Sequence, residues 1–126
     1  MVEDGGIVLM SNLLTQHITP IIVNPSDQES TNVYADVDGS IIDTYGKSII
    51  CYTCKNTDGA NSIDWKVLAS IDGTTYVEAQ AEASLAAAAV GTFTSLAYYR
   101  YYKVQVKATV ADSQGDAQVE GISKAG

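Results

Sequence analysis

The feature that most constrains the fold is the stretch YYRYYKVQVKATV at residues 98–110. From Tyr102 onward, apolar side chains occupy every second position, and Lys, Gln or Thr lies between them. This period of two is typical of a β-strand with one face toward a core and the other toward water. We therefore predict a long strand over residues 98–110. Such a strand needs neighbours along its length and a second apolar layer to cover its valine face.

Shorter segments with strand patterns, separated by turn residues, fill most of the remaining chain. These segments are residues 33–37, 48–54, 63–71 and 117–122. Several of the turns contain Asp-Gly pairs, which suit two-residue connections between adjacent strands. Short strands with turns about every ten residues predict one all-β domain. We expect a single antiparallel β-sandwich, jelly-roll-like, in which under about a tenth of the residues are helical.

One segment, AQAEASLAAAAV at residues 79–90, has an ambiguous pattern. Its alanine content favours a helix. However, it lies between strands, has no capping box and is short for an autonomous helix. We expect a close-packed extended segment or a single turn there.

The core is predicted from the positions that alternation or apolar character places inside the sandwich. These positions are Val33, Val37, Ile49, Cys51, Trp65, Val67, Val104, Val106 and Val119.

The N-terminal segment, residues 1–23, has many aliphatic residues but no clean strand or helix period. We predict that it is an arm that reaches away from the sandwich of residues 24–126 and anchors the subunit on a neighbour. The anchoring residues would be Ile7, Leu9, Leu13 and Leu14. The alternative is that residues 18–23 form the first core strand.

The charge distribution narrows the choice of partners. Fifteen acids against seven bases give a net charge of −8, and residues 1–46 contain no Lys or Arg. Because such a surface repels phosphate groups, we expect no nucleic-acid partner. No apolar run is long enough to span a bilayer, so we expect no membrane partner. The absence of basic residues near the start indicates a protein made without a secretory signal.

Cys51 and Cys54 form a CxxC motif within KSIICYTCKN. The apolar neighbours place this motif on a strand, where residues three apart face opposite sides about 10 Å apart, too far for a disulfide. We interpret both as small buried apolar residues in a reducing compartment.

No residue set points to catalysis or to a cofactor. His17 is the only histidine, and no nucleophile motif or phosphate-binding glycine loop accompanies it. The DVDG sequence at residues 36–39 resembles part of a calcium loop but lacks the later ligands. We read it as a solvated turn, with calcium binding where loops meet as the alternative. We predict a non-enzymatic protein with no cofactor.

The most suggestive cluster is YYRYY at residues 98–102. On a continuous strand, Tyr99 and Tyr101 would share one face. Tyr and Arg are enriched in protein interfaces, which makes Tyr99 and Tyr101 candidate interface residues. Aromatic faces also stack on sugars, so carbohydrate binding is the alternative for this cluster.

Three segments in order resemble the small β-sandwich accessory proteins of tailed-bacteriophage virions. These proteins have an Asp-Thr-x-Gly-like turn before a strand, an S-x-D-G-x-x-Y/W hairpin and a Tyr-Arg-Tyr strand. The counterparts here are residues 43–46, 70–76 and 99–101. Galactose-binding jelly rolls also carry the S-x-D-G hairpin. The resemblance spans residues 41–119.

This resemblance implies a non-enzymatic virion component, such as a capsid decoration protein or another head- or tail-associated protein. Its expected partners are other virion protein subunits and copies of itself, with assembly in the host cytoplasm. A self-assembling filament subunit would make similar contacts. The rival interpretation is a carbohydrate- or surface-binding β-sandwich module.

Overall fold

A computed structural model describes residues 21–23, 27–45 and 47–125, and all regular secondary structure in them is β-strand. The strands are β1 (Ile21–Val23), β2 (Gln28–Glu29), β3 (Ala35–Asp36), β4 (Ile42–Asp43), β5 (Ile49–Asn56), β6 (Ile63–Ser70), β7 (Val77–Leu85), β8 (Val90–Leu96), β9 (Tyr101–Ala108) and β10 (Asp116–Lys124). Across these ranges no helix is long and apolar enough to cross a membrane.

The strands form two antiparallel sheets that pack face to face. Sheet I has the order β1-β10-β5-β8, with β2 also paired to β10. Sheet II has the order β3-β9-β6-β7, with β4 also paired to β9. The predicted all-β, jelly-roll-like antiparallel sandwich is confirmed. The segment at residues 48–54, predicted to be central because it is apolar on both faces, lies in β5 between two neighbouring strands.

Inward-facing side chains of both sheets form one core. Six of the predicted core residues are buried there: Val37, Trp65, Val67, Val104, Val106 and Val119. Tyr52 links the layers, because its hydroxyl on β5 lies 2.9 Å from the carbonyl oxygen of Tyr102 on β9. On β8, a Cβ at Gly91 would lie 2.8 Å from Cζ2 of Trp65, so only glycine lets the two sheets approach this closely.

The predicted core positions Val33, Ile49 and Cys51 are wrong. Val33 lies in a bend before β3 and is 69% exposed. Ile49 and Cys51 lie on the outer face of β5, while the alternate residues of that strand point into the core. Alternation could not select the inner face of β5, because both faces of this strand carry apolar residues.

The long strand predicted at residues 98–110 is shorter, and it begins at Tyr101 and ends at Ala108. Residues 99 and 100 form a bend, and Val110 is exposed after the strand ends. Asp38-Gly39 lies in a turn and Asp72-Gly73 in a bend, with Gly39 and Gly73 at φ of 76° and 80°. They do not make two-residue hairpins, because β3 and β4 both pair with β9, and Gly73 lies in a longer loop between β6 and β7.

The alanine-rich segment is extended, as expected, but the expected close packing is wrong, because most residues of β7 are exposed. It continues β7 to Leu85, turns with Ala88 at φ 63°, and enters β8 at Val90. Pairing with β6 supplies the backbone hydrogen bonds that an isolated helix would otherwise provide, which overrides the helix propensity of alanine.

Residues 1–20 lie outside the described residues, so the arm with Ile7, Leu9, Leu13 and Leu14 stays a prediction. The last three residues of the predicted arm, Ile21–Val23, form β1 and pair with β10. Because Ile21 lies opposite Ser123, β1 begins beside the C-terminal end of β10.

Candidate interaction surface

Three loops meet at one end of the sandwich, which we call the tyrosine end. They connect β4 to β5, β6 to β7, and β8 to β9. Its defining residues are Tyr45, Ile71, Tyr98, Tyr99, Arg100 and Tyr101. The loops are joined by backbone bonds: the amide of Thr44 donates to the Arg100 carbonyl at 2.6 Å, and the amide of Ala97 donates to the Ser48 carbonyl at 2.8 Å.

Arg100, the only arginine in the chain, is fixed in the middle of this end. Its Nε and Nη2 donate to the two carboxylate oxygens of Asp43 at 3.1 and 3.0 Å. The guanidinium carbon lies 5.0 Å from the ring centres of both Tyr45 and Tyr101. Asp43 also accepts a bond from the backbone amide of Tyr45 at 3.0 Å. One carboxylate therefore positions both the cation and one of its aromatic neighbours.

This arrangement changes the titration of Asp43. The hydrogen bonds from Arg100 hold the pKa of the Asp43 carboxyl below its usual value, and the amide of Tyr45 acts in the same direction. The Asp43–Arg100 pair therefore stays ionised down to a lower pH than an isolated aspartate would allow.

The loop between β6 and β7 completes the tyrosine end. Asp72 orders it, because its carboxylate oxygen accepts bonds from the amides of Thr74 and Thr75 at 2.8 and 2.9 Å. The next residue, Gly73, packs on the Tyr101 ring, where a Cβ would lie 3.3 Å from Cε2. This is the S-x-D-G segment identified in the sequence, and here it supports an aromatic ring of the surface.

The five residues of the YYRYY cluster point in different directions. Tyr102 is in the core, and Tyr99 packs edge-on against it with ring centres 6.3 Å apart. Tyr101 lies on the outer side under Arg100, and Tyr98 is 75% exposed. Tyr99 and Tyr101 do not share a strand face, because the strand begins only at Tyr101. The role of Tyr99 and Tyr101 in an interface stays a prediction.

Several large apolar side chains are exposed at the tyrosine end. Tyr45 is 77% exposed and Ile71 is 74% exposed, although each has its backbone in an ordered loop. Beside them, Tyr99, Ile71 and Val77 help to line an open groove of about 220 Å³. Clustered exposed aromatic and aliphatic residues around an arginine are typical of surfaces that bind other proteins.

Sequence reasoning missed Asp43, Tyr45 and Ile71 as members of this surface. Pairing of β4 and β6 with β9 brings them beside the tyrosine cluster. A signal for the Asp43–Arg100 pair was present, because Arg100 is the single arginine in an acidic chain and lies within the cluster.

The other motifs lie elsewhere in the fold. Asp36 of the DVDG turn accepts bonds from Lys103 and Gln105 on the outer face of sheet II. Within residues 27–45 and 47–125, no three His, Cys, Asp or Glu side chains could hold a metal ion. Cys54 is buried, Cys51 is half-buried on the outer face of sheet I, and both are free thiols. His17 lies outside the described residues.

Comparison with known proteins gave one family match. The profile of the family described as "Domain of unknown function (DUF6385)" matches residues 43–120, which is more than half of the chain. The match includes Asp43, Tyr45 and the whole YYRYY cluster. No curated protein matches the sequence.

Several solved structures share the fold at low sequence identity. The PBSX exported protein XepA has a TM-score of 0.64 and 12% identity, covering 84% of this chain, which spans 37% of XepA. A pilus subunit of Bacillus endospore appendages has a TM-score of 0.51 and 15% identity, covering 85% of this chain and 89% of the subunit. The SPBc2 prophage-derived protein YomS has a TM-score of 0.51 and 12% identity, covering 82% of this chain and 93% of YomS.

Proposed function

The chain belongs to the family described as "Domain of unknown function (DUF6385)", and we propose that it is a non-enzymatic structural component of a virus particle. In this role it is a capsid decoration protein or another head- or tail-associated protein of a tailed phage. It acts through contacts with other virion subunits and with copies of itself, and it joins the particle in the host cytoplasm.

The observation that carries this proposal is the tyrosine end. Interface hot spots are enriched in Tyr and Arg, and side chains that are held in place before binding lose less freedom on association. Arg100 is fixed between Tyr45 and Tyr101 by Asp43, so little side-chain freedom remains to be lost on association. Exposed Tyr98 and Ile71 add apolar area around this centre.

The position of β1 in the sandwich also supports binding through the tyrosine end. Because β1 begins opposite Ser123, the N-terminal segment joins the sandwich at the tyrosine end. We propose that Ile7, Leu9, Leu13 and Leu14 in that segment anchor the subunit on the same neighbour that the tyrosine end contacts. The shared fold with prophage-derived YomS and with a pilus subunit also supports a role in assembly.

The proposal is tested by binding of purified protein to particles assembled without it. We expect the double variant Tyr45→Ser, Tyr98→Ser to bind at least about tenfold more weakly than the wild type, because it removes two hot-spot side chains. The matched control is Val33→Ser, Val110→Ser, which removes two exposed apolar residues, 69% and 62% exposed, away from the tyrosine end. The control should bind as the wild type does. Equal binding of both double variants would contradict the proposal.

The arm is tested separately by deleting residues 1–14. We expect the shortened protein to keep its β-sheet circular dichroism and its cooperative unfolding but to lose binding to particles. Unfolding of the shortened protein would instead mean that this segment belongs to the folded domain.

Carbohydrate binding is the second candidate, and the exposed rings of Tyr45 and Tyr98 are the observation that favours it. A glycan array with the isolated protein separates the two functions. A structural component binds no sugar, whereas a carbohydrate-binding module gives a defined set of glycans whose binding is lost in the Tyr45→Ser, Tyr98→Ser variant.

A further inference from the structure

Strand β8 forms an open edge of sheet I. It pairs with β5 over seven residues in uninterrupted register, from Ile49 opposite Leu96 to Lys55 opposite Val90. No other strand of the described residues pairs with it. Its sequence, VGTFTSL, has no charge and no proline. An edge with these properties is a template for a further strand, and soluble proteins usually protect such edges with charges, proline or bulges.

Two hydrogen bonds, one at each end of the β5–β8 pairing, show which backbone groups of β8 point away from β5. The Ala89 carbonyl accepts from the Asn56 amide at 2.9 Å, and the Ala97 amide donates to the Ser48 carbonyl at 2.8 Å. Because backbone groups alternate between the two sides of a strand, the odd-numbered residues of β8 bond to β5. The backbone groups of Val90, Thr92 and Thr94 therefore point to the open edge.

Strand β7, an edge of sheet II, differs from β8 in its pairing and in its charge. Its pairing with β6 is broken by register shifts around Val67, and it carries Glu78 and Glu82. Bulges twist an edge strand away from a partner, and two copies meeting at β7 would bring four carboxylates to one seam. In a chain with a net charge of −8, the uncharged β8 lets two copies meet without repulsion between charges of the two strands.

The sequence of β8 is complementary to itself in the antiparallel direction. With a two-fold axis at Phe93, Thr92 lies opposite Thr94 of the second copy, and Val90 lies opposite Leu96. These four side chains are exposed on the outer face of sheet I, so the pairs are threonine with threonine and aliphatic with aliphatic. Such cross-strand pairs are favourable. The same register places the free backbone groups of Thr92 and Thr94 in hydrogen-bonding positions.

We propose that β8 is a self-association edge, at which β8 of a second copy adds antiparallel and joins two copies of sheet I into one continuous sheet. This inference rests on the proposed function, in which copies of the protein contact each other, and it names the strand through which they do so. The β8 edge is separate from the tyrosine end. An experiment can therefore contradict one of the two proposed contacts without contradicting the other.

The test is sedimentation of the full-length protein over a range of concentrations, with Thr92→Pro and Thr92→Val as a matched pair. Proline removes an amide that points away from β5, so the fold of the single copy is preserved. We expect Thr92→Pro to weaken self-association by about tenfold or more, because each dimer loses a hydrogen bond from both copies. Thr92→Val keeps the amide and should associate as the wild type does.

Should Thr92→Pro fail to fold, the double variant Thr92→Lys, Thr94→Lys replaces it, because it places like charges opposite each other across the axis. Amide exchange by NMR gives an independent readout. The amides of Thr92 and Thr94 should be protected at high protein concentration and exchange quickly at low concentration. A wild type that is monomeric throughout, or association unchanged by either variant, overturns the proposal. Protection of these amides in the monomer overturns it too, since the chain's own N-terminal segment then covers the edge.

Discussion

At the scale of single residues, Gly91 of sheet I packs closely against the Trp65 ring of sheet II. Trp65 is 2% exposed, and a methyl group added at Gly91 would lie 2.8 Å from its Cζ2 atom. We expect Gly91→Ala to lower the free energy of unfolding by about 1–3 kcal/mol through overpacking. The control is Gly59→Ala, because no atom lies within 4 Å of the added Cβ there. Urea unfolding measures both, and equal stabilities would contradict this account of the core.

The two cysteines differ in their surroundings and should differ in reactivity. Burial raises the pKa of the Cys54 thiol to about 12, so almost no thiolate forms at mildly alkaline pH. Cys51 is half-buried on the outer face of sheet I. We expect a thiol reagent to modify Cys51 alone in the folded protein and both cysteines in denaturant. A Cys51→Ser variant should then react only after unfolding, and modification of Cys54 in the folded protein would contradict the burial described here.

At the scale of strands and loops, the Asp43–Arg100 pair joins β4 to the loop before β9. Because the folded pKa of Asp43 is lowered, the pair contributes stability above the usual aspartate pKa of about 3.9. That contribution is lost as the pH falls through the lower folded value. We expect Arg100→Ala to move the Asp43 titration, followed by NMR, upward toward about 3.9.

The control for this titration is Lys103→Ala. Lys103 pairs with Asp36 on the outer face of sheet II, so its removal should leave the Asp43 titration unchanged. A titration of Asp43 that is the same in the wild type and in Arg100→Ala would mean that the guanidinium does not hold this carboxylate in solution.

Most strands could be predicted from alternation, where one face is apolar and the other polar. In β9, Val104 and Val106 are buried, and in β10, Ala117 and Val119 are buried, as this pattern indicates. The pattern failed for β5, because both faces of this strand carry apolar residues and alternation then cannot select the inner one. The start of β9 was also predicted wrongly, because the bend at Arg100 depends on hydrogen bonds from Thr44, a residue distant in sequence.

The candidate surface was predictable only in part, for a related reason. The tyrosine cluster is continuous in sequence, so its local composition was enough to identify it as a candidate interface. Tyr45 and Ile71 come from other loops, and their place beside the cluster depends on the register of β4 and β6 against β9. No single-sequence pattern specifies that register, because each of these strands could pair with several others.

At the scale of the whole molecule, the two ends of the sandwich are built differently. At the end away from the tyrosines, loops bond to each other through side-chain amides. Asn56 donates to the carbonyls of Asn61 at 2.7 Å and Leu85 at 3.1 Å, and Asn61 donates to Gln114 at 2.8 Å. The tyrosine end instead presents ordered but exposed rings. This difference fits our proposal that the tyrosine end is the end that contacts a particle.

We propose that the tyrosine end attaches this protein to a virus particle. Electron cryomicroscopy of intact particles from a phage or prophage that encodes the chain tests it most directly. We predict repeated copies of the β-sandwich on the particle, with Tyr45, Tyr98 and Arg100 against a neighbouring subunit. Particles that lack the protein, or that carry it with the tyrosine end facing solvent, would contradict the claim.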